Sequence, residues 1–226
     1  MRANAAIYGP LLCLALLMSC RQDTGSSEPQ KSELRAETVA DKAVGRDELV
    51  ATLESKDFDR TISLMNRIKR MRYQGDLLPL LNDVWQLNLA SMPNVEKAFV
   101  AHPRIRLEVA DVLMQASRNG APNLEPAAYR AYARQHATSK DPDVARQAVL
   151  VLGLANDPAD IALLAEILGA ETEAASRAAV ISLVRNCAVD EARVMRIAGG
   201  LRSRELQADL RKSWTDAQGL RRHVCR

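Results

Sequence analysis

The chain has 226 residues, of which 47% are hydrophobic but only 4% aromatic, and its 31 basic and 28 acidic side chains leave a formal net charge of +3. That length admits one or two ordinary domains or one run of stacked repeats. Scarce aromatics and the absence of alternating β-branched runs argue against a sheet-rich protein and favour helices packed through small residues, and the interspersed charges give no strong signal for nucleic-acid or membrane-surface binding.

Arg2 supplies a small positive region, and residues 11–18 form an apolar run shorter than a bilayer requires. The run ends in Leu17-Met18-Ser19-Cys20, which resembles the lipobox of bacterial lipoproteins. In that family the signal peptide is cut before the cysteine, whose thiol accepts a diacylglyceryl group and whose new amine is acylated, as with palmitate. Ser19 has the small size the peptidase needs, while Met18 departs from the small residues more usual at its place. The resemblance implies a signal peptide over residues 1–19 and lipidation at Cys20. Arg21 stands where inner-membrane lipoproteins often carry Asp, which implies the outer membrane, facing the periplasm. Each buried methylene contributes about 0.8 kcal/mol, so two or three acyl chains would hold the protein there. An ordinary secretory signal or an uncleaved anchor is the other reading.

Residues 20–45 are polar and poor in large apolar side chains, so they cannot offset their ordering entropy. They read as a disordered tether, with a transient helix over residues 33–44. From Arg46 a helical period begins. Leu49, Leu53 and Phe58 give a first piece, and Ile62, Leu64, Met65, Ile68 and Met71 a longer helix up to Gly75. Asp76 reads as the cap of the next helix, with Pro79 in its first turn. Residues 95–100 allow a short helix before His102-Pro103. Ile105, Val109, Val112, Leu113 and Ala116 mark another, broken by Asn119-Gly120-Ala121-Pro122, with a partner over residues 126–136.

The clearest unit is Asp141-Pro142-Asp143-Val144-Ala145-Arg146-Gln147-Ala148-Val149-Leu150-Val151-Leu152-Gly153. Asp141 can accept orphan N–H groups, and Pro142 needs no N–H at the first helical position. Asn156-Asp157-Pro158 turns the chain into a second helix that Gly169 closes. A shift of 31 residues places Val144 on Ala175, Ala148 on Ala179, Leu152 on Leu183 and Leu163 on Val194; the next shift places Ala175, Ala179 and Leu183 on Leu206, Leu210 and Trp214. A two-helix unit of this period must stack on its neighbours to bury its apolar face.

The Asp-Pro-x-Val-x-x-x-Ala-x-x-x-Leu-Gly string resembles HEAT repeats, in particular the short bacterial kind related to phycobilin-lyase HEAT-like repeats. The resemblance covers residues 103–214 well and residues 46–100 loosely. It implies an all-α fold, an α-α superhelix of four or five helix pairs. Residues 46–102 would be a divergent helical region, 103–216 the repeats and 217–226 a tail. An unrelated helical bundle is the alternative.

No catalytic constellation, phosphate-binding loop or metal-ligand spacing occurs, and His102, His136 and His223 are scattered. An enzyme and a cofactor are therefore not expected, and a lyase-like activity is the last of the readings. In solenoids of the resembled type the second helices line a concave surface. Its polar positions here would be Asn82 and Gln86, Arg130 and Arg134, Asp160 and Glu166, and Arg193 and Arg196, either a site for a protein partner or a solvated face. Arg146 and Arg177 fall at equivalent places and read as structural. Residues 67–72 form the densest basic run, at a helix C-terminus or facing anionic lipid. Cys187 and Cys225 remain after the signal; they pair, or Cys187 is a buried free thiol. Two functions stand: a scaffold holding an envelope protein, or a structural or assembly factor for an envelope complex.

Overall fold

The structure is a computed structural model, and it describes residues 44–71, 75–170 and 173–225. The expected signal peptide (residues 1–19), Cys20 and almost all of the expected tether (residues 20–45) lie outside the described residues. Eleven helices are present among them and no strand: α1 (Arg46–Glu54), α2 (Phe58–Arg70), α3 (Leu78–Gln86), α4 (Lys97–Ala101), α5 (Pro103–Arg118), α6 (Pro126–His136), α7 (Pro142–Leu154), α8 (Pro158–Gly169), α9 (Glu173–Arg185), α10 (Glu191–Gly200) and α11 (Arg204–Val224).

Local chemistry starts most of these helices where the sequence indicates. Asp141 accepts the N–H groups of Asp143 at 2.9 Å and Val144 at 3.3 Å, with Pro142 at the first helical turn of α7. Asp157 caps α8 and Asp190 caps α10 in the same way. His102 caps α5, its Nδ1 accepting from the Arg104 N–H at 3.3 Å. Asp76 does not cap α3: the cap position is Leu77, with no side-chain bond, and Pro79 accounts for the start.

The odd-numbered helices α5, α7, α9 and α11 lie in a row, each packed on the next. In the second layer α6 packs on α5 and α7, α8 on α9, and α10 on α11, while α2, α3 and α4 pack on α5. One hydrophobic core runs without interruption from Val44 to Trp214. The divergent region and the repeats share it. At their junction the Arg106 guanidinium lies between the Trp85 and Tyr132 rings, 4.5 Å from each centroid, and donates to the Trp85 carbonyl at 3.1 Å.

Helices α7, α9 and α11 begin at Pro142, Glu173 and Arg204, two equal steps of 31 residues. Val144, Ala148, Leu152, Ala179, Leu183, Leu210 and Trp214 are buried, while Ala175 and Leu206, at the first position of that register in α9 and α11, are partly buried against the same core. The second helices follow a different step. Their caps, Asp157 and Asp190, are 33 apart because five residues separate α9 from α10 and only three separate α7 from α8. Ile161, rather than Leu163, therefore answers to Val194, and both are buried.

Small residues set how near the row can close. A Cβ on Gly153 would stand 2.6 Å from the Ser182 Cα, so α7 and α9 touch backbone to backbone. At the same crossing the buried Ser182 hydroxyl donates to the Val149 carbonyl at 2.7 Å. The end of the chain differs from the sequence reading. Residues 217–224, read as a tail, continue α11, and Arg221 donates to the carbonyls of Val184, Asn186 (3.0 Å) and Val189 (2.6 Å). It thereby satisfies carbonyls left open where α9 ends.

Gly153→Ala is expected to cost about 1–3 kcal/mol through overpacking and to lower the thermal midpoint by several degrees. Circular dichroism melting measures this; an unchanged midpoint would show that the row can open without cost.

Candidate partner-binding face

The four helices expected to carry the partner face put their polar residues to two uses. Arg130 Nε and Nη2 donate to the two carboxylate oxygens of Asp160 at 2.7 and 3.0 Å, and Nη1 meets Asp157 at 2.8 Å. Arg134 Nη1 donates to the same Asp160 carboxylate. The Asp160 side chain is wholly buried. A buried carboxylate needs its charge and lone pairs compensated, and the two arginines of α6 do this at the first turn of α8. Arg130, Arg134 and Asp160 therefore clamp α6 to α8 and are not free charges awaiting a partner.

Asn82 is likewise engaged. The buried Tyr129 hydroxyl donates to its Oδ1 at 3.4 Å and accepts from the Glu125 N–H at 3.2 Å; burial raises the Tyr129 phenol above its ordinary value. Asn82 also borders a cavity of about 670 Å³ with Leu78, Pro79, Ala116, Asn119 and Leu124. No sequence pattern announces that cavity, because its walls come from α3, α5 and the α5–α6 loop.

Gln86, Glu166, Arg193 and Arg196 remain exposed. Glu166 edges a cleft of about 470 Å³ shared with Lys140, Pro142, Ala145 and Ile167. Arg193 and Arg196 flank a smaller one, about 220 Å³, whose other walls are Pro158, Ile161, Ala162, Ala165 and Ile197. Among the described residues, neither of these two guanidiniums meets a carboxylate. The structure thus brings Arg193 and Arg196 together beside an apolar trough between α8 and α10.

The basic run has mostly structural work. Arg67 pairs with Glu48 at 2.6 Å, and Ile68 is buried. Lys69 Nζ lies 2.9 Å from both Glu108 and Asp111, at 14% exposure. Asp111 also accepts from Gln147 of α7 at 3.0 Å and from Gln115 at 2.8 Å. This network joins α2, α5 and α7 and ties Lys69 into the fold; Arg70 is exposed, and Arg72 lies outside the described residues. Burial alone would lower the Lys69 pKa, but the charges of Asp111 and Glu108 outweigh it and hold the ammonium above its ordinary value. Burial raises Glu108, with Lys69 opposing.

Arg146 pairs within its own helix, 3.9 Å from Asp143. His102 packs on the Phe58 ring and His136 on Tyr132. Cys187 and Cys225 form a disulfide that ties the end of α11 to the α9–α10 turn.

Lys69→Met is expected to cost about 3–5 kcal/mol at pH 7, since it leaves two buried carboxylates without their cation. Glu108, already raised by burial, would rise further beside Asp111. A raised carboxyl holds more protons folded than unfolded, so the deficit should shrink as pH falls toward the ordinary carboxylate range. Urea unfolding at pH 7 and pH 5 reads it, and an equal deficit at both would remove the charge argument. Compared with protein-family models, curated proteins and solved structures, the chain finds no match in any of the three.

Proposed function

We propose that this chain is a lipid-anchored scaffold of the bacterial cell envelope that binds another protein through the α8–α10 trough. The observation that carries the binding half is the pair Arg193 and Arg196, exposed and without carboxylate partners, beside Ile161, Ala162, Ala165 and Ile197. An apolar floor edged by two guanidiniums suits a protein segment that offers small apolar side chains and a carboxylate. Arginine makes bidentate bonds to carboxylates at little ordering cost, which favours it at interfaces. The address rests on the string Leu17-Met18-Ser19-Cys20, which resembles a lipobox. A disulfide between Cys187 and Cys225 agrees with an oxidising compartment.

The narrowed face changes which residues matter. Arg130 and Arg134 hold the fold together, so binding should respond to Arg193 and Arg196 and not to the clamp. Double charge reversal, Arg193→Glu with Arg196→Glu, is expected to weaken partner binding at least tenfold while the melting midpoint stays within a few degrees. Photo-crosslinking from position 197 in envelope membranes, followed by titration of the crosslinked protein, measures it. Unchanged affinity in the folded double variant would remove the trough from the reading. Separately, Cys20→Ala should release the chain from the membrane fraction, and the intact mass of the native protein should show an acylated Cys20 as first residue. A native protein of unmodified mass would overturn the lipid anchor.

A further inference from the structure

Cys187 stands in an unusually basic place for a bonded cysteine. The Arg118 Nη2 of α5 lies 3.6 Å from the Cys187 Sγ, and Arg118 and Arg185 border one pocket of about 210 Å³ with Gln115, Asn119 and Leu154. Among the described residues, neither arginine pairs with a carboxylate. Burial and the neighbouring Arg185 both pull the half-buried Arg118 guanidinium below its ordinary value, as expected of cations that lack a counter-charge. Two buried charges of this fold are matched by opposite charge, Asp160 by Arg130 and Arg134 and Lys69 by Glu108 and Asp111. The half-buried Arg106 and Arg221 lie against aromatic rings and donate to carbonyls, whereas the neighbour of Arg118 is the Cys187 sulfur.

Cys187 is also held in place without the help of its sulfur. Its N–H donates at 2.9 Å to the Asn156 side chain, which extends from the α7–α8 turn. The α11 helix keeps a separate anchor near its end, because Arg221 donates to three carbonyls around the α9–α10 turn and stacks 4.3 Å over the Trp214 ring. Breaking the sulfur–sulfur bond would therefore leave both cysteines positioned.

We infer that Cys187–Cys225 is an exchangeable disulfide that reacts with a dithiol, and that Cys187 leaves it as a thiolate stabilised by Arg118. One thiolate of the dithiol attacks Cys225 Sγ. A bond forms between those sulfurs, the Cys187–Cys225 bond breaks, and its electron pair leaves on Cys187 beside the guanidinium. The second thiol of the reactant loses its proton and attacks the reactant's sulfur in the mixed disulfide. Cys225 is released and takes up a proton, and the reactant departs as a disulfide. Two electrons have then passed from the dithiol to the protein. A leaving thiol of low pKa departs faster, which selects Cys225 as the sulfur attacked. The C-terminus of α9 opposes the effect with about half a negative charge, but the full charge of Arg118 in contact with the sulfur outweighs it.

The test is alkylation of the full chain, reduced with dithiothreitol, by iodoacetamide across pH, with Cys187 and Cys225 resolved as separate peptides by mass spectrometry. Cys187 should titrate at least one pH unit below the ordinary thiol value of about 8.5, and Arg118→Gln should return it toward that value with the helical spectrum unchanged. The wild-type bond should open at a lower dithiothreitol ratio than the bond in the variant. A Cys187 midpoint at or above the ordinary value would overturn the inference, and so would a midpoint indifferent to Arg118→Gln. Loss of the helical spectrum on reduction would overturn it as well, since exchange requires α11 to stay docked.

Discussion

The contact between Gly153 and Ser182 fixes the spacing on which the other layers depend. With a Cβ at Gly153 only 2.6 Å from the Ser182 Cα, no residue but glycine lets α7 and α9 lie so near. The Ser182 hydroxyl then gives its hydrogen bond to α7 and is not itself left unmet in the crossing. Ala145, Ala148, Ala178 and Ala179 extend the narrow seam, all of them buried. A row of helices drawn together through small residues buries enough apolar surface with few aromatics, which is how a chain with 4% of them still has a continuous core.

Asp160 and Lys69 sit where helices must keep register, and each is met by two partners. Asp160 aligns α6 with α8, and the Lys69 network aligns α2, α5 and α7. Such groups add little net stability over an apolar replacement, because desolvation cancels most of the attraction. Their effect is on specificity: a slipped helix would strand a charge. The half-buried Arg118, with the exposed Arg185 beside it, meets no carboxylate among the described residues, and the cysteine at its guanidinium is where a negative charge would be generated.

The surface that remains is modest. After the internal clamps are subtracted, the second layer offers Arg193 and Arg196 beside an apolar trough, with Glu166 and Gln86 on other parts of the layer. Cation and apolar floor are adjacent only because α8 and α10 lie side by side, each packed on a different helix of the first row.

Helix type and most boundaries were legible in the sequence, because capping and periodicity are local. Asp141 and Asp157 begin α7 and α8 as their neighbours dictate, and the step of 31 residues placed seven of its nine positions in α7, α9 and α11 in the core, with Ala175 and Leu206 partly buried against it. The step failed for α10, where a turn two residues longer moved the register; loop length leaves no trace in apolar periodicity. The fate of the exposed-looking charges was not legible either. Arg130 and Arg193 both stand on second-layer helices, yet one is clamped to a buried Asp160 and the other meets no carboxylate among the described residues. Sequence by itself determined that this chain makes paired helices of fixed period, since each helix answers to residues within a few positions. Only the tertiary structure decided which charges are glue and which are surface, because a charge is paired by distance in space and its partner here lies 30 residues away.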